Sequence, residues 1–125
     1  MAKILVTDDS KFQRRWIARG VQNLGHEIIE AENGQQSLEM VESEKPDCVI
    51  TDLLMPVMGG IEFMQELAKK GSKVPVVVVT ADIQEDTKKH CQDLGAVAFL
   101  NKPFDYGALA AAVSLCLTNQ PGGGQ

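Results

Sequence analysis

The chain has no surplus of basic residues. Twelve Lys and Arg stand against 17 Asp and Glu, a formal net charge of −5. A nucleic-acid surface needs a basic patch, so that class of partner is excluded. Only Lys11, Arg14, Arg15 and Arg19 cluster, and they read as the solvated face of one helix, with partner docking as the lesser reading. No apolar run approaches the ~20 residues that span a bilayer. Met1-Ala2-Lys3 leads straight into strand-like sequence without a signal-peptide pattern, so the expectation is a cytoplasmic protein without membrane contact. Aromatics make up 5% of the chain, and its single tryptophan, Trp16, reads as core. The three cysteines, Cys48, Cys91 and Cys116, show no CxxC pairing. Their odd number and wide spacing predict reduced, buried thiols acting as small apolar side chains. No internal repeat of 20–50 residues and no helix-turn-helix pattern is present.

What remains is an ordinary globular composition, and 125 residues suffice for one domain with a real core. Strand-like segments at 3–7, 27–30, 48–51, 74–80 and 97–101 alternate with helical stretches at about 11–24, 35–43, 61–70, 84–94 and 106–117. Such alternation predicts βαβ units and a parallel α/β sheet. Cys48-Val49-Ile50 and Val76 to Val79 are continuously apolar, as central strands should be. Glu27-Ile28-Ile29-Glu30 is bounded by charge and suits an edge. Trp16, Ile17, Val21 and Leu24 form the apolar stripe of the first helix, with Gly20 allowing close approach. Leu38 and Val41, then Ile61, Met64, Leu67 and Ala68, face inward from the second and third. Asn33 is an expected N-cap, and Gly25, Gly71 and Gly95 read as helix stops. The fourth helix has few apolar anchors beyond Cys91 and Leu94, so it is expected to shift easily. Residues 1–118 form the expected domain and 119–125 a flexible tail.

The chemistry lies at strand ends. Asp8 and Asp9 follow Ile4-Leu5-Val6, Asp52 follows Cys48-Val49-Ile50, Thr80 ends the valine run, and Lys102-Pro103 follows the last strand. In an open parallel sheet the carboxyl ends of the strands share the edge where ligands bind. A cap of the first helix is the lesser, alternative reading of Asp8 or Ser10, and Lys102 alone would read as a solvent-facing amine. Together they gather three carboxylates, a hydroxyl and an amine. Clustered carboxylates repel unless a cation is present, and a hard divalent ion such as Mg²⁺ takes oxygen ligands of this kind. A carboxylate can also accept a phosphoryl group covalently, with positioning and charge neutralisation dominating such transfers.

The order TDDS, TDLLMP…GG, VVVVTA and NKPF resembles the receiver domain of two-component response regulators over about residues 3–117. The resemblance implies a flavodoxin-like, doubly wound sheet of five parallel strands in the order 2-1-3-4-5 with five helices. It implies Asp52 as phosphoacceptor, with Asp9 as a direct Mg²⁺ ligand and Asp8 as one acting mainly through water. The backbone carbonyl of Leu54 would complete the protein ligands. Thr80 would be the switch hydroxyl, Lys102 the amine that pairs with the phosphoryl group, and Phe99 the switch aromatic. A cis peptide is implied between Lys102 and Pro103. Leu54 and Asp82 occupy the variable positions that tune hydrolysis of the acyl phosphate. Gly60 matches the family's loop glycine, whereas Gly59 replaces a more usual polar residue, so a looser loop is expected.

The implied function is a stand-alone response regulator, a switch rather than an enzyme. It would take its phosphoryl group from a sensor histidine kinase or phosphotransfer protein docking near Phe12, Arg14 and Arg15. The face built from the fourth helix, fifth strand and fifth helix would then bind a downstream protein, with chemotaxis as one setting and a monomer or weak dimer as the expected state. A phosphate sink, a relay receiver and a fragment of a larger regulator are the alternatives. A phosphatase of the haloacid-dehalogenase type would instead carry its nucleophile in a D-x-D spacing after the first strand. A flavin module would want Ser, Thr or Gly where Asp8-Asp9 stands.

Overall fold

The protein is described from a computed structural model, which covers residues 1–81 and 84–118. Asp82 and the 119–125 tail lie outside the described residues. The elements run β1 (Lys3–Thr7), α1 (Lys11–Asn23), β2 (Glu27–Ala31), α2 (Gly34–Glu44), β3 (Cys48–Asp52), α3 (Gly60–Lys69), β4 (Val76–Thr80), α4 (Glu85–Asp93), β5 (Ala96–Asn101) and α5 (Tyr106–Thr118). All strand pairs are parallel, in the order β2-β1-β3-β4-β5. The ten elements, the strand order and the edge position of β2 match the sequence reading, with boundaries differing by one or two residues. A bulge between Val76 and Val77 shifts the β4–β5 register.

Every residue of β3 and β4 is buried, as the uninterrupted apolar runs require of strands covered on both faces. Two apolar clusters flank the sheet. Ile4, Val6, Ile50, Val77 and Val79 pack with Ile17 and Val21 of α1 and with Leu109 and Val113 of α5. Leu5, Val49 and Val78 face the other way, onto Leu38 of α2, Phe63, Met64 and Leu67 of α3, and Cys91 of α4. Alternation of side chains along each strand accounts for this division.

Two burial expectations for the helices are corrected. Leu24 is exposed because α1 ends at Asn23 and the chain turns away there. Ala68 is exposed, and Phe63, on the opposite side of the Met64–Leu67 stripe, supplies the buried bulk of α3 instead. The expectation of three reduced thiols is overturned as well. Cys48 of β3 and Cys116 of α5 are paired as a disulfide with Cα atoms 6.2 Å apart, while Cys91 of α4 is buried outside that pair. A pair separated by 68 residues leaves no mark in linear spacing.

Helix ends behave as their residues direct. Ser10 caps α1 by accepting from the Gln13 amide, and Asn33 caps α2 by accepting from the Gln36 amide. Gly25, Gly71 and Gly95 follow α1, α3 and α4 with positive φ. At Gly20 the requirement is space: a Cβ would lie 2.6 Å from the Tyr106 ring and 2.9 Å from Leu109. That contact brings α1 against α5, where Tyr106 stacks on Trp16 at 4.4 Å between centroids and donates to its carbonyl at 2.9 Å. Of α4, only Cys91 is buried, so its anchoring is as sparse as expected.

Candidate functional site

The registry of the sheet brings the polar groups together. Thr7 pairs with Thr51, so Asp8 and Asp52 are neighbours one step beyond. Asp52 pairs with Val79, and Thr80 pairs with Asn101, which puts Thr80 and Lys102 at the same edge. Carboxylate oxygens of Asp8, Asp9 and Asp52 lie within 4.8 Å of one another. Asp8 is buried, Asp9 is exposed, and Asp52 is almost fully buried.

Asp52 is held on both oxygens. Its Oδ1 accepts from the Leu53 amide at 2.7 Å and the Leu54 amide at 3.3 Å, and its Oδ2 accepts from Lys102 Nζ at 2.9 Å. Lys102 reaches Asp8 Oδ2 only at 3.8 Å, close enough for charge attraction but too long for a hydrogen bond. Asp8 Oδ1 accepts from the Ser10 amide at 2.9 Å, while its Oδ2 is buried without a hydrogen-bond partner. Burial first, then the charges of Asp52 and Asp9, push the Asp8 carboxyl above its ordinary value, against the opposing pull of the Ser10 amide and Lys102.

A buried, unpartnered carboxylate oxygen facing two further carboxylates is what a hard cation would satisfy. The residues therefore fit a divalent ion by the chemistry of the donors and by the orphaned oxygen. The Lys102–Pro103 peptide is cis. Thr80 is buried at the end of β4, and Phe99 is half-buried in β5 against the α3–α4 side of the core. Leu54 is 78% exposed on the loop after Asp52.

That loop is tighter than expected. The Gly60 amide donates to the Leu53 carbonyl at 2.9 Å, and the Gly34 amide donates to the Met58 carbonyl at 2.8 Å. A Cβ on Gly60 would collide with the Asp52 carbonyl, and one on Gly59 would lie 2.7 Å from the Leu53 carbonyl. Gly59 caps α3 without any side-chain hydrogen bond, so the missing polar group costs a cap but lets the loop close on the strand end. The same loop holds Val57 at φ 71°, a left-handed conformation that a β-branched residue adopts only under strain.

The family model of the response regulator receiver domain matches residues 4–114. This chain is a response regulator receiver domain. It is 34% identical over 119 residues to Protein PilH of Pseudomonas aeruginosa, covering 94% of this chain and 98% of PilH. It is 38% identical over 117 residues to the transcriptional regulatory protein PdtaR of Mycobacterium tuberculosis, covering 93% of this chain but 57% of PdtaR. The receiver thus spans little more than half of that relative. Among solved structures, the Vibrio cholerae chemotaxis protein CheY4 superposes with a TM-score of 0.87 at 29% identity, covering 94% of this chain and 99% of CheY4. Receiver domains act as signalling switches that interact with kinases or phosphotransfer proteins and with effectors, and they bind Mg²⁺ at an acidic pocket. No helix among the described residues is long and apolar enough to cross a membrane.

One sequence reading of the α1 cluster fails. Arg14 is not on a solvated face: it is 8% exposed, donating from Nη1 to the Asp8 carbonyl and from Nε to Glu30 Oε1, both at 2.8 Å. It is therefore not available to a docking partner, whereas Phe12 at 81% exposure and Arg15 are. Nothing in the composition of α1 separates Arg14 from Arg15. The spacing does: Arg14 stands three, four and seven residues before Ile17, Ala18 and Val21, on the buried face of the helix, and Glu30 on the neighbouring edge strand is its partner there.

Proposed function

We propose that this receiver accepts a phosphoryl group from a phosphohistidine on Asp52 and uses the acyl phosphate as a reversible switch. The observation that carries the reading is the 2.9 Å bond from Lys102 to an Asp52 carboxylate that also lies within 4.8 Å of Asp8 and Asp9. In the reaction an Asp52 oxygen attacks phosphorus, the P–N bond breaks, and the imidazole leaves with the electron pair. The two amides on Oδ1 hold the carboxylate in a fixed plane, which supplies the orientation such a transfer needs. Asp8, Asp9, Asp52 and the Leu54 carbonyl would hold Mg²⁺, which when bound offsets charge on the phosphoryl oxygens. Lys102 pairs with those oxygens as they gain charge, and the Thr80 hydroxyl donates to one of them.

The phosphoryl group adds about −1.5 to −2 charges and three acceptor oxygens. Thr80 turning toward it vacates space that Phe99 fills, and the sparsely anchored α4 changes its average position. The active form is favoured because it binds the phosphoryl group better, a shift of population. The α4-β5-α5 face is then read by a downstream protein. The donor docks on α1 beside the site, where exposed Phe12 lines an open groove with Gln13, Trp16, Lys102, Pro103 and Phe104. Leu54 and Asp82 tune water access to the acyl phosphate. Correspondence with PilH over 98% of its length supports the stand-alone reading. The match to 57% of the length of a longer relative, PdtaR, supports the second reading, the receiver piece of a larger regulator.

The test is Asp52→Asn treated with a small phosphodonor and Mg²⁺. Wild type should gain one alkali- and hydroxylamine-labile phosphate by intact mass, and the variant none. A labile phosphate retained by the variant would overturn the assignment.

A further inference from the structure

We infer that Arg14 is a positioning residue for the metal site, acting through Asp8. This rests on the cation site proposed above. Asp8 lies beyond the end of β1, where sheet pairing no longer fixes the chain, yet it is fastened at three points. Its amide donates to the Ala31 carbonyl at 3.2 Å, its Oδ1 accepts from the Ser10 amide, and its carbonyl accepts from Arg14. Arg14 is anchored in turn by Glu30 on β2, and Arg15 approaches the other Glu30 oxygen at 3.6 Å. The guanidinium therefore ties the first helix, the edge strand and the strand-to-loop bend into one unit. The bend is what aims Asp8 Oδ2, the buried oxygen without a partner, at Asp9 and Asp52.

A lysine cannot do the same. Its single ammonium is a point donor, whereas the planar guanidinium spans two acceptors in fixed directions. Burial makes the arrangement strict, since an Asp8 carbonyl left without its donor would pull the bend toward another partner or water. Positioning and charge predict opposite signs. As a mere positive charge near a cation site, Arg14 repels Mg²⁺, and its removal would tighten binding. As the residue that fixes the bend, its removal weakens binding by about tenfold, the range in which groups supporting metal ligands act.

The experiment measures Mn²⁺ binding by electron paramagnetic resonance of the free ion, for wild type, Arg14→Met, Arg14→Lys and Asp9→Asn. Val113→Ala, a core change in α5 away from the acidic cluster's residues, controls for lost stability alone. The expected order is wild type and Val113→Ala equal, Arg14→Lys weaker by about threefold and Arg14→Met by about tenfold. Binding by folded Arg14→Met within twofold of wild type, or tighter, overturns the inference. If Arg14→Met does not fold, Arg14→Lys decides, and a dissociation constant equal to wild type overturns it. Failure of the underlying site looks different: wild type would not bind Mn²⁺, or Asp9→Asn would bind it as wild type does.

Discussion

Asp8→Asn should stabilise the metal-free protein and destabilise the metal-loaded one relative to wild type. At the 4.8 Å reach of the cluster, each like-charged pair costs about 3 kcal/mol at an effective dielectric of 20. Lys102, 3.8 Å from Asp8 Oδ2, returns roughly the equivalent of one such pair. Water screens the exposed Asp9, while burial of Asp8 adds its own desolvation cost. The net gain expected on neutralising Asp8 is about 1–2 kcal/mol in EDTA at pH 7, from removing an uncompensated buried charge. The amide oxygen can still accept from Ser10, so the local turn is retained. With Mg²⁺ at one hundred times its dissociation constant, wild type gains about 2.7 kcal/mol by mass action. On the cation site proposed above, the variant lacks one of the three carboxylates and gains less at the same concentration, and a shortfall above about 1–2 kcal/mol reverses the order. Proton linkage gives a second, independent arm. Burial and the neighbouring carboxylates raise the folded-state pKa of Asp8, so its protonated form is favoured by folding. The associated stability is fully present below the ordinary carboxylate range, near 4, and is lost as pH rises through the raised value. Urea unfolding in EDTA should therefore show variant and wild type converging as pH falls toward about 4 and separating toward 7. A variant no more stable than wild type in EDTA at pH 7, or a gap indifferent to pH, refutes the reasoning.

Two further substitutions test the scaffold around the site. Gly20→Ala gains up to about 1 kcal/mol of helix propensity but drives a methyl into the Tyr106 ring and Leu109. Both are held, Tyr106 by its stacking and hydrogen bond to Trp16 and Leu109 by burial, so overpacking of about 1–3 kcal/mol should prevail. Lower urea stability with a changed Trp16 emission would bear this out, and unchanged stability would mean α1 and α5 can separate freely. Val57→Asn places a residue that tolerates the left-handed region at φ 71°. Because Val57 is 79% exposed, little packing is lost, and a stabilisation of about 1 kcal/mol is expected from relief of strain. A destabilised variant would show that the valine side chain makes contacts that outweigh the strain.

The fold was legible because its signals are local and periodic. Val76 to Val79 announces a central strand by itself, and the alternation with amphipathic helices announces parallel connections. The acidic edge was legible for a related reason: in a parallel sheet every strand end arrives at the same side, so residues remote in sequence can be assigned to one place without knowing any distance. Boundaries slipped where the periodic signal is weakest, as at Leu24, which continues the apolar stripe although α1 has ended. Ala68 was misplaced because a small apolar side chain tolerates either face, whereas the bulk of Phe63 does not.

What stayed hidden depends on pairing rather than on placement. Cys48 and Cys116 meet because α5 packs across the foot of β3, and no spacing rule encodes that crossing. Arg14 was assigned to solvent with Arg15 on its charge, although it stands three, four and seven residues before buried Ile17, Ala18 and Val21 on the inner face of α1. Its burial becomes intelligible once Glu30 and the Asp8 carbonyl are both within 2.8 Å, since a charge enters a core only when paired and fully hydrogen-bonded. The same condition governs the acidic cluster, but there it is left unmet by protein atoms at Asp8 Oδ2. One buried charge is thus satisfied within the chain and holds the other in an unsatisfied position, and that difference separates a structural ion pair from a site built to receive a ligand.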